Sequence, residues 1–233
     1  MSYYERWLTA EKEWIGTYCS ETKKKSLCRT VPMVLIVLTA IFGLMPLMGG
    51  TAEDAMYGAF GGFMLGLIVC AIYLLILLPG LNPKRYVKKV EAAVKALNMA
   101  EAEREQLGRE MLETDAGHII SYVISAPGSK GTPARFVKTP HYAYLAGSSP
   151  YAILVRLSDV EQIVAGQEQK DMVQRGAKTK TYYKITLYTI GFFRRDRAAR
   201  GLTENDYPDE AMGFFQSNIR DKALELLSET PEY

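Results

Sequence analysis

Two uncharged apolar stretches in the first third of the chain constrain everything around them. VPMVLIVLTAIFGLMPLMGG carries no charge between Arg29 and Glu53, and AMYGAFGGFMLGLIVCAIYLLILLPG carries none between Asp54 and Lys84. Each supplies the ~20 residues that a helix needs to cross a hydrocarbon core, where backbone polar groups must pair within the segment. The junction GGTAEDA leaves room only for a tight reversal. The sequence therefore predicts a two-helix transmembrane hairpin over residues 31–80, with the lipid bilayer as partner and the cell membrane as location. The run ends near Gly49, Gly50 and Ala52 as a signal peptide might, but its long approach and the immediate second span favour an anchor.

The flanks set an orientation. Lys23, Lys24, Lys25 and Arg29 precede the first span, Lys84, Arg85, Lys88 and Lys89 follow the second, and the connection holds only Glu53 and Asp54. Basic residues beside span ends are retained in the cytoplasm, so both termini are expected there. The same basic clusters could also meet anionic headgroups.

Small residues recur every fourth position along the second span, at Gly58, Gly62, Gly66 and Cys70, and the first span offers Thr39 and Gly43 at the same spacing. Such ridges let helix backbones approach closely. A reversal near Ala52 would set Gly43 level with Gly62 and Thr39 level with Gly66. Packing within one hairpin and a glycine-ridge dimer both use this feature.

Residues 1–30 read as an amphipathic helix with a basic flank. Tyr4, Trp7, Leu8, Trp14, Ile15 and Tyr18 share one side, opposite Glu5, Arg6, Lys12 and Glu13. That aromatic face, with Trp7 and Trp14 as its candidate contacts, suits either the membrane interface or the soluble domain. Residues 81–116 predict a helical stalk. Pro83 opens it, Val90, Val94 and Leu97 repeat at helical steps, and Asn98 with Glu101 marks a break and restart through Leu107 and Met111.

Residues 117–233 change to short apolar runs divided by turn residues: HIISYVIS, ARFVKT, HYAYLAG, YAILVRL, VEQIVAG and KTYYKITLYTIGFF. These read as strands of an antiparallel sheet. The polar QEQKDMVQRGAKT reads as a break, and the capping pattern from Ser158 to Glu161 allows a helical turn there. Asp206 and Pro208 then open a predicted helix with Met212, Phe215, Ile219 and Leu226 on its buried side.

The strand Val155 to Val164 passing through Leu157, Ser158, Asp159 and Val160, the strand Tyr182 to Ile190, and the helix holding Phe214 and Phe215 resemble the bacterial PH-like domains. The resemblance covers about half the chain and is one of pattern and order. It implies an α+β cytoplasmic domain, a strongly bent antiparallel sheet closed by a C-terminal helix, acting as a binding or assembly module. Two spans ahead of such a domain resemble uncharacterised bacterial membrane proteins.

A net charge of +2 over 233 residues gives no argument for nucleic acid. Cys19, Cys28 and Cys70 lack metal-ligand spacing, His118 and His141 have no ligand neighbours in sequence, and APGSKGTP lacks the spacing and following helix of a phosphate loop. No catalytic, metal or cofactor residue is assigned. Arg194, Arg195, Arg197 and Arg200, after two phenylalanines, are candidate contacts for lipid or a partner. The expectation is a non-catalytic membrane-anchored protein whose cytoplasmic domain binds a protein partner or itself. An anionic-lipid-binding surface module is the alternative, and a membrane-bound enzyme of unknown reaction the third.

Overall fold

The computed structural model describes residues 1–46, 50–124, 131–147, 152–175, 180–198 and 207–229, without the side chains of 172–175, 180, 181, 183, 197 and 198. It divides into two units, one of Met1–Glu11 with Val87–Tyr233 and one of Lys12–Tyr86. In chain order the helices are α1 (Tyr3–Lys25), α2 (Val31–Leu44), α3 (Ala52–Gly80), α4 (Pro83–Ala96), α5 (Glu101–Glu113), α6 (Arg195–Ala198) and α7 (Ser217–Ser228). The strands are β1 (Ile119–Val123), β2 (Pro133–Lys138), β3 (Tyr142–Ala146), β4 (Ile153–Arg156), β5 (Val160–Arg175), β6 (Lys180–Arg194) and β7 (Glu210–Phe214).

In the unit of Lys12–Tyr86, two helices are long and apolar enough to cross a membrane, and α2 and α3 are their apolar parts. Thr51 caps α3: its hydroxyl accepts the Asp54 N–H and the Asp54 carboxylate accepts the Thr51 N–H, a reciprocal capping box. Between α1 and α2 the helix widens into a π turn at Ser26–Thr30, where the Val31 N–H reaches the Ser26 carbonyl. Pro32 explains it, because proline has no N–H for the Cys28 carbonyl and its ring crowds that carbonyl.

The small-residue ridge faces α2. A Cβ on Gly62 would lie 2.6 Å from the Leu38 carbonyl oxygen, one on Gly66 2.9 Å from a Leu35 methyl, and one on Gly58 would overlap the Phe42 carbonyl. The Cys70 thiol reaches the Val31 carbonyl at 3.8 Å. Gly43 stands against Ala59, where a Cβ on Gly43 would lie 3.1 Å from the Ala59 Cβ, and not level with Gly62. The register is about one helical turn from the expected one because α3 begins at Ala52, which places the centre of the reversal ahead of that residue. At the end of this unit away from the reversal Ile15, Cys19 and Leu81 are buried together, with Trp14, Tyr18 and Tyr86 around them.

The other unit is the soluble domain. Its strands form two separate antiparallel sheets, β1-β2-β3-β4 and β5-β6-β7. This corrects the expectation of a single strongly bent, PH-like sheet: each sheet is an open meander whose first and last strands are edges among the described residues, and neither curls closed. The physical cause is the 3-10 turn Leu157–Asp159, which ends the ladder of β4 and sends β5 to pair with β6. That turn falls where the capping pattern allowed one.

Two further elements differ from the sequence reading. β5 runs on through the polar stretch to Arg175, paired residue for residue with β6 as far as Lys180. Gln167, Glu168, Gln169, Lys170 and Asp171 are exposed, so this half of the ribbon offers no apolar alternation to read. Of the helix expected to open at Asp206 and Pro208, Asp206 lies outside the described residues and Glu210–Phe214 is strand β7, which pairs with Tyr188–Phe192 before α7 begins at Ser217. Met212 and Phe214 are both fully buried at a two-residue step, which is strand and not helix periodicity.

The core lies between the sheets and α7. Phe136, Ala143, Leu145 and Val155 of the first sheet meet Ile190, Phe192, Met212 and Phe214 of the second, and Ile219 and Ala223 of α7 close it. Burying each large side chain contributes roughly 1.5–3 kcal/mol. All five residues of β3 are buried, so its second face is covered as well. Tyr142 and Tyr144 alternate onto that face, where Glu103 of α5 and Trp7 of α1 meet them. Val90, Val94 and Leu107 of the expected stalk are buried, and Asn98 has the left-handed φ of 48° that ends α4. The N-cap of α5 is Ala100 without a side-chain bond, so the expected Asn98–Glu101 cap does not form.

Candidate functional site

Among the described residues the soluble domain carries a cleft of about 920 Å³ where α5, β2, β5 and α7 converge. Its carboxylates are Glu110, Glu113, Asp115, Glu161 and Glu229, and its apolar wall is Pro140, Leu157, Val160, Ile163 and Leu227. Lys138 and His118 are the basic groups on the same wall. The cleft is thus strongly acidic with an apolar floor.

The wall is held by ion pairs from one side of α5. Glu103 and Glu110, seven residues apart, fall on one helical face. Glu103 pairs with Arg156 at 2.6 Å and accepts the Tyr142 hydroxyl at 3.1 Å, while Arg156 also reaches Asp159 at 3.1 Å. Burial, and then the adjacent Glu103 carboxylate, raise the Tyr142 phenol above its ordinary range. Glu110 lies 2.6 Å from His141 Nδ1. Lys138, nearly buried, donates from Nζ to the Glu229 carbonyl at 2.7 Å, a cation placed at the negative end of α7. Glu113 and Asp115 line the cleft and have no ion-pair partner among the described residues.

A second polar cluster lies on the outer face of the first sheet. Glu11, with 1 % of its surface exposed, pairs with Arg135 and accepts the Trp7 indole N–H at 2.9 Å and the Tyr144 hydroxyl at 3.1 Å. The Tyr3 N–H donates to Glu105 at 2.9 Å, and a Cβ on Gly108 would lie 2.5 Å from the Tyr4 nitrogen. The absent side chain lets α5 touch the start of α1. The aromatic face near Trp7 is therefore docked on the domain, one of the two expected placements.

The residues singled out from sequence do not gather in one place. Trp7 is at the Glu11 cluster, and Trp14 stacks beside Tyr86 with ring centroids 5.8 Å apart. Arg194 pairs with Glu210 at 3.6 Å and its N–H donates to Asp209, while Arg195 pairs with Glu161 at 3.5 Å. The Arg197 side chain and Arg200 lie outside the described residues, as does most of APGSKGTP. Of the histidines, His118 borders the cleft and His141 bonds to α5. Among the described residues no group of three or more His, Cys, Asp or Glu is placed to hold a metal ion.

Sequence reasoning passed over Glu11, Glu103, Glu110, Lys138 and Arg156. One of them carried a signal: Glu11 sits four residues from Trp7 and from Ile15, an acid inside the aromatic stripe. The others depend on partners 31 to 91 residues away. Neither a family model, nor a curated protein, nor a solved structure matches this chain.

Proposed function

We propose that this is a two-span membrane protein with both termini in the cytoplasm, and that its soluble domain is a non-catalytic docking module for a basic, partly apolar segment of a protein partner. The observation that carries the docking reading is the cleft itself: the carboxylates of Glu113 and Asp115, without an ion-pair partner among the described residues, beside the apolar wall of Leu157, Val160 and Ile163. Complementary charge steers a basic partner and an apolar floor retains it. The basic flanks of both spans support the cytoplasmic placement. An anionic-lipid role for the arginines after β6 is less favoured, since Arg194 and Arg195 are each paired with a carboxylate.

The test is site-specific photo-crosslinking of the full chain in its native membrane. Crosslinkers at positions 118 and 161 should capture one and the same protein, and adding Glu113→Lys with Asp115→Lys should abolish the capture. Equal capture from the exposed position 182 on the ribbon would sink the cleft as the docking site.

A further inference from the structure

Beside the π turn, the hairpin carries a groove of about 510 Å³ whose lining changes character along its length. One end holds Lys25 and Arg29, and the rest is formed by Met33, Val34, Val37 and Val69, with Leu38 and Thr30 completing it. Lys25 and Arg29 have no ion-pair partner among the described residues, and no carboxylate lines the groove. The cationic end meets the apolar part at the place where Pro32 widens the helix.

We propose that this groove is a specific site for an anionic glycerophospholipid, its phosphate between Lys25 and Arg29 and one acyl chain along Met33, Val34, Val37 and Val69. Two observations select that occupant. The apolar lining from Met33 to Leu38 continues along the helix for about 8 Å past the two cations, so the groove takes the upper part of one acyl chain directly beneath its headgroup. Its charges match the headgroup in sign and in position, at the end where the apolar lining stops. A soluble peptide or a second copy of the hairpin would leave two cations without partners at the membrane surface. The basic residues following the second span, Lys84 and Arg85, lie outside this groove and serve as an internal control.

The inference rests on the hairpin lying in a bilayer and is independent of the acidic cleft. Full-length protein in nanodiscs of mixed dioleoyl phosphatidylglycerol and dioleoyl phosphatidylcholine is released into mild detergent, and the lipid it retains is read by native mass spectrometry. Phosphatidylglycerol should be retained over phosphatidylcholine. Lys25→Gln and Arg29→Gln should each lower that preference about fivefold, and Val37→Trp should lower retention by filling the groove without changing charge. Lys84→Gln with Arg85→Gln should leave it unchanged. No headgroup preference, an equal loss in the Lys84 and Arg85 variant, or full retention in Val37→Trp would overturn the site. Alkaline extraction of the membranes of the expressing cells separates the two levels of failure: all variants should stay in the pellet, and release of the wild-type chain would overturn the membrane placement itself.

Discussion

Glu11 and Arg135, 124 positions apart in sequence, form an ion pair beneath the N-terminal helix, and the same carboxylate accepts the Trp7 indole and the Tyr144 hydroxyl. One side chain thus ties α1 to the second face of the first sheet. Because Glu11 is almost fully buried, removing it takes the carboxylate from a partly buried guanidinium as well as from two polar groups, whereas removing both charges leaves no guanidinium to compensate and costs only the two polar groups their bond. Glu11→Leu should destabilise the soluble domain by about 3 kcal/mol or more, and Glu11→Leu with Arg135→Met should cost clearly less than Glu11→Leu alone. Denaturant unfolding of the purified full chain in a Trp14→Phe background, followed by Trp7 fluorescence, measures both. Additive losses would show that the pair is not coupled.

The hairpin makes a prediction with an adjacent control. Gly62 meets the backbone of α2, while a Cβ on Gly61 would meet nothing within 4 Å. Gly62→Leu should therefore separate α2 and α3 at a cost of roughly 1–3 kcal/mol, and Gly61→Leu should be tolerated. Oxidation of a Gly43→Cys, Ala59→Cys variant should give a crosslink within one chain, faster than Gly43→Cys with Gly62→Cys. A dominant crosslink between chains would reassign the ridge to dimerisation.

Topology is checked with single-cysteine accessibility in intact cells. A probe at Thr51 should react from outside, and probes at Ser2 and Glu229 only after permeabilisation. Reaction of the Glu229 probe in intact cells would reverse the orientation.

The Tyr142 phenol gives a pH signature. Its pKa is raised in the folded state by burial and by Glu103. A group with a raised folded pKa contributes stability below its unfolded value, ~10 for tyrosine, and loses it as pH climbs toward the folded value. The melting temperature of the wild-type chain should fall more steeply above pH ~10 than that of Tyr142→Phe, with the two parallel below it. Identical slopes on the alkaline side would remove Tyr142 from that account.

Gly108→Val tests the close approach of α5 to the start of α1. Its Cβ has backbone atoms of Tyr3 and Tyr4 within 2.6 Å, which cannot yield as a flexible side chain would. The first turn of α1 should lift, and amide exchange at residues 3–7 should accelerate while the β-sheet core stays protected. Unchanged exchange there would show that α5 shifts instead.

The sequence by itself determined whatever is written in runs of neighbouring residues. Two charge-free stretches of spanning length and their basic flanks define the hairpin, and period-two apolar runs mark β1 to β4 and β6, because solvent and lipid act on each residue as it stands in the chain. Tertiary structure decided what depends on a distant partner. β5 continues through Gln167–Asp171 because β6 supplies its hydrogen bonds, and β7 is a strand because Tyr188–Phe192 offers an edge, although the local pattern suggested a break and a helix. The separation into two sheets follows from a three-residue turn at Leu157–Asp159, and the burial of a charged Glu11 follows from the arrival of Arg135. Ladder bonds and buried ion pairs join residues that local periodicity never places side by side, so only the folded chain settles them.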